Sequence, residues 1–279
     1  MKKQRIAIYG KGGIGKTTIS VNLALTLARE GYKVLLVGCD PKQDTARLLL
    51  QERLPTIVEC YDGLQSGRIP IERVCARVRE NITCCEAGGP RPGVGCAGRG
   101  VLIALDLLSQ RGILSQADVV LYDVLGDVVC GGFATPVTHG FTDRIYVVTS
   151  GEQASLLAAN NILSGMNSVG GKTGGLIFNA RGFEGEETYV RRFASLTGVP
   201  IVGVMPYSQR IKTEELNRRA ICEADGAVLE EQAMRALANE VLNGTPCQPR
   251  ALTPDGLYDM IAQIGRERHD RMGRGDGDR

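Results

Sequence analysis

An open, doubly wound α/β sheet with mostly parallel strands is the fold class this sequence predicts, and three observations predict it. Short apolar runs at 6–9, 33–38, 81–87, 117–123, 144–150, 174–179 and 200–205 read as buried strands. Segments with helical apolar spacing, at 18–29, 101–108, 153–169, 186–196, 211–219 and 227–242, alternate with most of them. Several of the runs end in a glycine, an acid or an amide, the residue types that gather at the carboxyl edge of such a sheet, where ligands bind. About seven or eight strands follow from this alternation.

The first run delivers Gly10-Lys11-Gly12-Gly13-Ile14-Gly15-Lys16-Thr17 and then Thr18, the start of a helical pattern whose apolar face carries Ile19, Leu23, Leu25 and Leu27. Strand, glycine turn and helix in that order make a phosphate cradle. Backbone N–H groups wrap the phosphates, Lys16 reaches the β and γ oxygens, and Thr17 ligates Mg²⁺. Gly10, Gly12 and Gly15 also satisfy the dinucleotide pattern, with Asp40 where a ribose-binding acid would stand. Lys16-Thr17 decides for a nucleoside triphosphate, because a dinucleotide has no use for that pair directly after the last glycine. Lys11 adds a cation inside the loop, either as surface decoration or as a group that reaches a γ-phosphate held by a second subunit.

The second run opens onto Cys39-Asp40-Pro41-Lys42-Gln43-Asp44. Asp40 and Asp44 are placed to hold Mg²⁺ or its waters and to sense the γ-phosphate, or else to cap a solvated loop. Asp123 ends the run 117–123 as a Walker B aspartate would, binding Mg²⁺ through water. Asp127 follows, placed to orient or deprotonate the attacking water, and three residues later comes Cys130 before Gly131-Gly132. Asn179 is a candidate for reading an adenine amino group, or a plain strand-ending turn.

The chain has 279 residues, of which 43% are hydrophobic, a net charge of +2, nine cysteines and two histidines. One core of this size is expected to form a single ATPase domain over 1–270, with a last amphipathic helix at 254–268 and a flexible polar tail at 271–279. The charge balance offers no basic field for nucleic acid, and no apolar run approaches the ~20 residues of a membrane span, so neither nucleic acid nor membrane is expected as a partner. Met1-Lys2-Lys3 leads straight into a core strand, which reads as cytoplasmic. Residues 51–80 read as helix and loop. Cys39, Cys60, Cys75, Cys84, Cys85, Cys222 and Cys247 read as structural, and His139 and His269 as structure or surface.

Two thiols differ from the rest. Cys96 lies in the stretch 88–100 among six glycines and two prolines, and Cys130 stands in a second glycine setting. Such composition brings backbone N–H groups close to something bulky, as a metal–sulfur cluster requires, although a bland glycine-rich turn shares it. A [4Fe–4S] cluster takes four thiolates, so one chain supplies half a site and a twofold dimer supplies the whole.

The cradle with Lys11, the 39–44 loop, the 88–100 stretch and 122–132 together resemble the nitrogenase iron protein family over nearly the whole chain. The resemblance implies a P-loop ATPase of the deviant Walker A, or signature lysine, type. It implies an ATP-dependent one-electron reductase: a homodimer with a subunit-bridging [4Fe–4S] cluster on Cys96 and Cys130, MgATP, and electron transfer to a larger catalytic component. Ferredoxin or flavodoxin is the implied electron donor. Lys11, Lys16, Thr17, Asp40, Asp44, Asp123 and Asp127 would serve nucleotide, Mg²⁺ and switching, and Arg99 matches an arginine that is ADP-ribosylated in some members. Nitrogenase, methylthio-alkane reductase and the tetrapyrrole-reducing enzymes all remain open as the catalytic component. Asp44-Thr45-Ala46-Arg47-Leu48 resembles the nitrogenase-type branch, whereas Met205-Pro206-Tyr207-Ser208 and Phe178 depart from its usual residues. Partitioning and division-site ATPases share Lys11 without Cys96 and Cys130, and a cluster-assembly scaffold would carry a C-x-x-C pair that this sequence lacks.

Overall fold

The computed structural model describes residues 3–50, 52–89, 97–126 and 134–275. Its strands are β1 (Gln4–Gly10), β2 (Val34–Gly38), β3 (Cys75–Arg79), β4 (Ile82–Glu86), β5 (Val119–Asp123), β6 (Arg144–Thr149), β7 (Thr173–Asn179) and β8 (Ile201–Met205). The helices are α1 (Lys16–Arg29), α2 (Tyr61–Gln65), α3 (Ala97–Gln110), α4 (Ile113–Gln116), α5 (Thr135–Thr138), α6 (Gln153–Ser168), α7 (Glu186–Thr197), α8 (Gln209–Leu216), α9 (Val228–Asn243) and α10 (Pro254–Gly275).

The strands form one sheet in the order β3-β4-β2-β5-β1-β6-β7-β8. All neighbours run parallel except β3 and β4. The inner strands read as continuous apolar runs because both faces are covered. Along β1, Ile6 and Ile8 pack with Ile19, Leu23 and Leu27 of α1 and Met234 and Leu237 of α9. Ala7 and Tyr9, between them in sequence, point the other way, into a core with Leu105 of α3, Leu163 of α6, Phe193 of α7 and Leu257 of α10. Period-two alternation on one strand thus feeds two cores, and helices clad both faces.

Two expectations change. Residues 75–79, read as helix or loop, form edge strand β3, antiparallel to β4, with a register shift between Arg77 and Arg79. The segment buries Cys75 and Val78 and leaves Arg77 and Arg79 outward, so its apolar signal is too sparse to stand out from a loop. The final helix also runs on from 268 to Gly275, through part of the segment expected as a tail. Arg271 and Met272 are good helix formers, and they let the helix reach the glycines. Among the described residues, no helix is long and apolar enough to cross a membrane.

Candidate functional site

Parallel register brings the sequence-predicted residues to one edge. Gly38 at the end of β2 stands opposite both Asp123 on β5 and Glu86 on β4, and Ile8 of β1 pairs with Asp123 from the other side. Chain leaving β1, β2, β4 and β5 therefore emerges in one place.

The phosphate loop is shaped by close approach. Gly10 has φ +147°, and a Cβ there would lie 2.4 Å from the Val148 carbonyl oxygen. Gly15, at φ +94°, caps α1 without a side chain because the Asn179 amide nitrogen would lie 2.5 Å from its Cβ. Only glycine fits both positions. Asn179 in turn donates from Nδ2 to the Ile14 carbonyl at 2.7 Å, and Arg181 donates to the Gly13 carbonyl at 2.7 Å, so the end of β7 holds the loop from outside. Lys16 is buried, with Nζ donating to the Lys11 carbonyl at 3.1 Å. Gly15 to Thr18 at the start of α1 line the adjoining cavity, and a helix N-terminus is where backbone amides are available to an anion.

That cavity, about 380 Å³, is lined by Gly12, Lys16, Thr17, Asp40, Asp44 and Asp123 among others. Asp123 is fully buried, and its Oδ2 accepts from the Thr17 hydroxyl at 2.7 Å and the Thr45 hydroxyl at 2.8 Å. Burial pushes its carboxyl up to about 6 despite those two bonds. Asp40 accepts from the Lys42 amide through Oδ1 at 2.9 Å and thereby shapes the loop after β2. Oδ1 of Asp44 is buried without a hydrogen-bond partner. These carboxylates lie in a buried setting that a divalent cation would neutralise, beside the Thr17 hydroxyl and the phosphate cradle. The residues present fit Mg²⁺ carried with a triphosphate.

Glu86 was missed as a functional residue, since in sequence it is only the last letters of a strand. It is buried at 1% exposure, and its Oε1 accepts from the Ala46 amide at 2.7 Å, which ties β4 to the loop that carries Asp40 and Asp44. Burial pushes its carboxyl up to about 8, with Asp123, Asp44 and Asp40 adding to the effect. The native state therefore holds a proton that the unfolded chain releases between the ordinary glutamate value and about pH 8. Nucleotide-free stability should fall as pH rises through that window. We expect Glu86→Gln to flatten the fall above about pH 6, where Asp123 no longer contributes, gaining on the parent by on the order of 2 kcal/mol between pH 5 and 8 in urea denaturation. A difference that stays constant with pH would count against a buried protonated Glu86.

Two further contacts join the nucleotide edge to the segments that lead toward the loop thiols. A Cβ on Gly126, just past β5, would lie 2.6 Å from the Gly12 amide nitrogen and 2.6 Å from Lys16 Nζ, so this chain runs directly against the phosphate loop. A Cβ on Gly89 would lie 3.1 Å from the Pro41 ring, and one on Gly100 would lie 2.9 Å from the Gly88 carbonyl oxygen. Cys96, Asp127 and Cys130 lie outside the described residues. Arg99 is exposed in the first turn of α3. Lys11 is half-buried.

A second cavity, about 190 Å³, shares Gly13, Gly15 and Thr18 with the first and continues past Asn179 to Met205, Tyr207 and Lys212. It suits a nucleobase, with the Tyr207 ring packed against Gly182 and Lys212 Nζ 5.7 Å from the ring centroid. Thr18 donates to Glu215 of α8, and Glu215 lines both cavities. Glu215 and Arg218 carry no motif in the sequence and enter the site only because α8 and the turn after it fold over the cavity.

Comparison with known proteins agrees with this geometry. The family described as 4Fe-4S iron sulfur cluster binding proteins, NifH/frxC family, matches residues 4–267. The chain is 47% identical over 244 residues to Nitrogenase iron protein 2 of Methanothermobacter thermautotrophicus, covering 87% of this chain and 91% of that protein. It is 45% identical to Nitrogenase iron protein 2 of Methanobacterium ivanovii, covering 85% and 90%. Among solved structures, the MinC:MinD cell division protein complex of Aquifex aeolicus superposes with a TM-score of 0.68 at 20% identity, covering 89% of this chain and 99% of that one. A ParA family ATPase of Chlorobium tepidum gives 0.67 at 16% identity, covering 85% and 98%. At those identities the structural likeness shows the fold, that of the P-loop ATPases. The chain belongs to the nitrogenase iron protein family, whose cofactors are a [4Fe–4S] cluster and MgATP.

Proposed function

We propose that this chain is the ATP-dependent one-electron reductase component of a nitrogenase or nitrogenase-like enzyme. The observation that carries the reading, beside the family, is the shared exit. The strand that ends in Asp123 and the strand that ends in Glu86 leave the sheet beside the phosphate loop, and their next residues touch that loop or its neighbour at Gly126 and Gly89. Each then leads within a few residues to a loop thiol, Cys130 in one case and Cys96 in the other. A change at the phosphates therefore has a short mechanical path to both thiols.

In this reading residues 1–270 act as one ATPase domain, and two copies share a cluster held by Cys96 and Cys130 of each. The cluster supplies a one-electron carrier, and Mg²⁺ neutralises charge on the transferring phosphoryl group. Thr17 and Asp123, already joined by a hydrogen bond, are the residues that would hold Mg²⁺. Gly10 to Thr18 cradle the triphosphate, with Ile14 and Asn179 securing the loop. Asp127 orients the attacking water. Asp40 and Asp44 register the γ-phosphate, and Lys11 neutralises its charge across the dimer. A ferredoxin or flavodoxin donates electrons, and a larger catalytic component accepts them. Arg99, exposed, is the candidate for modification. Phe178 and Tyr207 depart from the residues usual in nitrogenase, which supports as a second reading a nitrogenase-like reductase such as that of the methylthio-alkane type.

Iron and acid-labile sulfide in the anaerobically purified protein test the proposal. The parent should hold about four irons per dimer with a reduced-state EPR signal, and Cys96→Ala should lose both while still binding ATP. A folded, ATP-binding parent that takes up no iron on reconstitution would move the protein to the partitioning class.

A further inference from the structure

The fold brings together two thiols that the nucleotide site does not use. Cys75 on β3 and Cys85 on β4 are direct partners across the antiparallel pair. Their side chains share a core cluster on the same face of the pair. Residues opposed in this way have Cα atoms roughly 4.5–5.5 Å apart, within the range a disulfide spans. Cys84, next in sequence, faces the opposite core and does not compete. Cys85 is fully buried, whereas Cys75 is 8% exposed and lines a cavity of about 700 Å³. Lys33, Arg77, Glu72 and Glu80 also line that cavity, which shares no residue with the nucleotide cavity.

We propose that Cys75 and Cys85 are a reversible dithiol pair, oxidised to a cross-strand disulfide by a low-molecular-weight peptide disulfide that enters this cavity. Both charge signs line the cavity, which suits a zwitterionic peptide. Cys75 loses its proton and attacks one sulfur of the external disulfide, whose S–S bond breaks and releases one external thiol that carries the proton. Cys85 then loses its proton and attacks the Cys75 sulfur, and the second external thiol leaves. Two protein thiols are oxidised by two electrons, and one external disulfide is reduced to two thiols. The order is set by access, since Cys75 meets the cavity and Cys85 lies behind it. The bond would clamp β3 to β4 one residue before Glu86, the residue that holds the Ala46 amide.

The pair needs neither cluster nor nucleotide, so its test is independent of the proposed reductase activity. The anaerobically purified protein is incubated with oxidised glutathione, alkylated, digested and mapped by mass spectrometry. A Cys75–Cys85 linkage should form in the native protein and be reversed by dithiothreitol. Cys85→Ser should stop at a glutathione adduct on Cys75, and Cys75→Ser should give no adduct on Cys85. Both thiols staying alkylatable in the oxidant-treated parent would overturn the proposal. So would a parent that accumulates the Cys75 adduct without the linkage.

Discussion

Gly126→Ala is expected to lower ATP-coupled electron delivery by about a hundredfold while leaving the protein folded. The added methyl would lie 2.6 Å from the Gly12 amide nitrogen, 2.6 Å from Lys16 Nζ and 2.7 Å from the Gly10 carbonyl oxygen. A lysine end can swing aside, but two of these atoms are backbone in a loop already held by Asn179 and Arg181. Either the segment after β5 lifts from the phosphate loop or Lys16 leaves its position over the phosphates. Both outcomes separate the nucleotide from the chain that leads to Cys130. Stopped-flow electron transfer with a catalytic partner, alongside calorimetric ATP binding, measures the effect. Parental turnover in the variant would show that the Gly126 contact plays no part in coupling.

Asp123→Asn should move two quantities in opposite directions. Burial raises this carboxyl to about 6, so the native state holds a proton that the unfolded chain releases between the ordinary aspartate value and about pH 6. Above that window the buried charge is a net cost to the nucleotide-free protein, and the amide variant is expected to be the more stable form at pH 8. The amide oxygen can still accept from Thr17 and Thr45. The charge that attracts Mg²⁺ is gone, and affinity for the metal in the ATP complex should fall about 10- to 100-fold. Denaturation midpoints at pH 8 without nucleotide, paired with Mg²⁺ titration of the ATP complex, report both. A variant that loses stability and keeps its Mg²⁺ affinity would make Asp123 a structural anchor only. Opposed effects of this kind are expected where a site stores unfavourable charge for a ligand to relieve.

Much of this edge is legible in sequence because phosphate binding dictates residues locally. Gly10 and Gly15 take positive φ values in the turn itself, a local demand that favours glycine even before Val148 and Asn179 close on them, and Lys16-Thr17 follows at a fixed offset, so a linear pattern suffices. Asp40, Asp44, Asp123 and Asn179 are legible for a related reason: each stands at or just past the end of an apolar run, and parallel strands put their carboxyl ends on one side. The inner strands and their parallel sense follow from the same runs, whereas their order in the sheet comes from the structure. What stays hidden depends on partners distant in sequence. β3 is an edge strand whose outward arginines dilute its pattern, and its identity comes from pairing with β4. Glu86 looks like any polar strand terminus until Gly38 and Ala46 close around it, since a Cβ on Gly38 would lie 2.0 Å from its Oε2. Glu215 reaches Thr18 across 197 residues of sequence, a distance at which no local rule operates. Cys75 and Cys85 are separately unremarkable as small core residues, and only the register of a hairpin makes them a pair.

The contact between Gly88 or Gly89 and Gly100 bears on how this protein could have arisen. The chain leaves β4 and enters α3 at the same place, so the number and kind of residues between them can change without shifting the strand before or the helix after. A nucleotide-binding sheet of the kind shared with cell division and ParA-type ATPases could therefore accept or lose such an insert as a unit. On this view the stretch that carries Cys96 is a replaceable part, attached to the sheet where Gly100 meets Gly88 and Gly89.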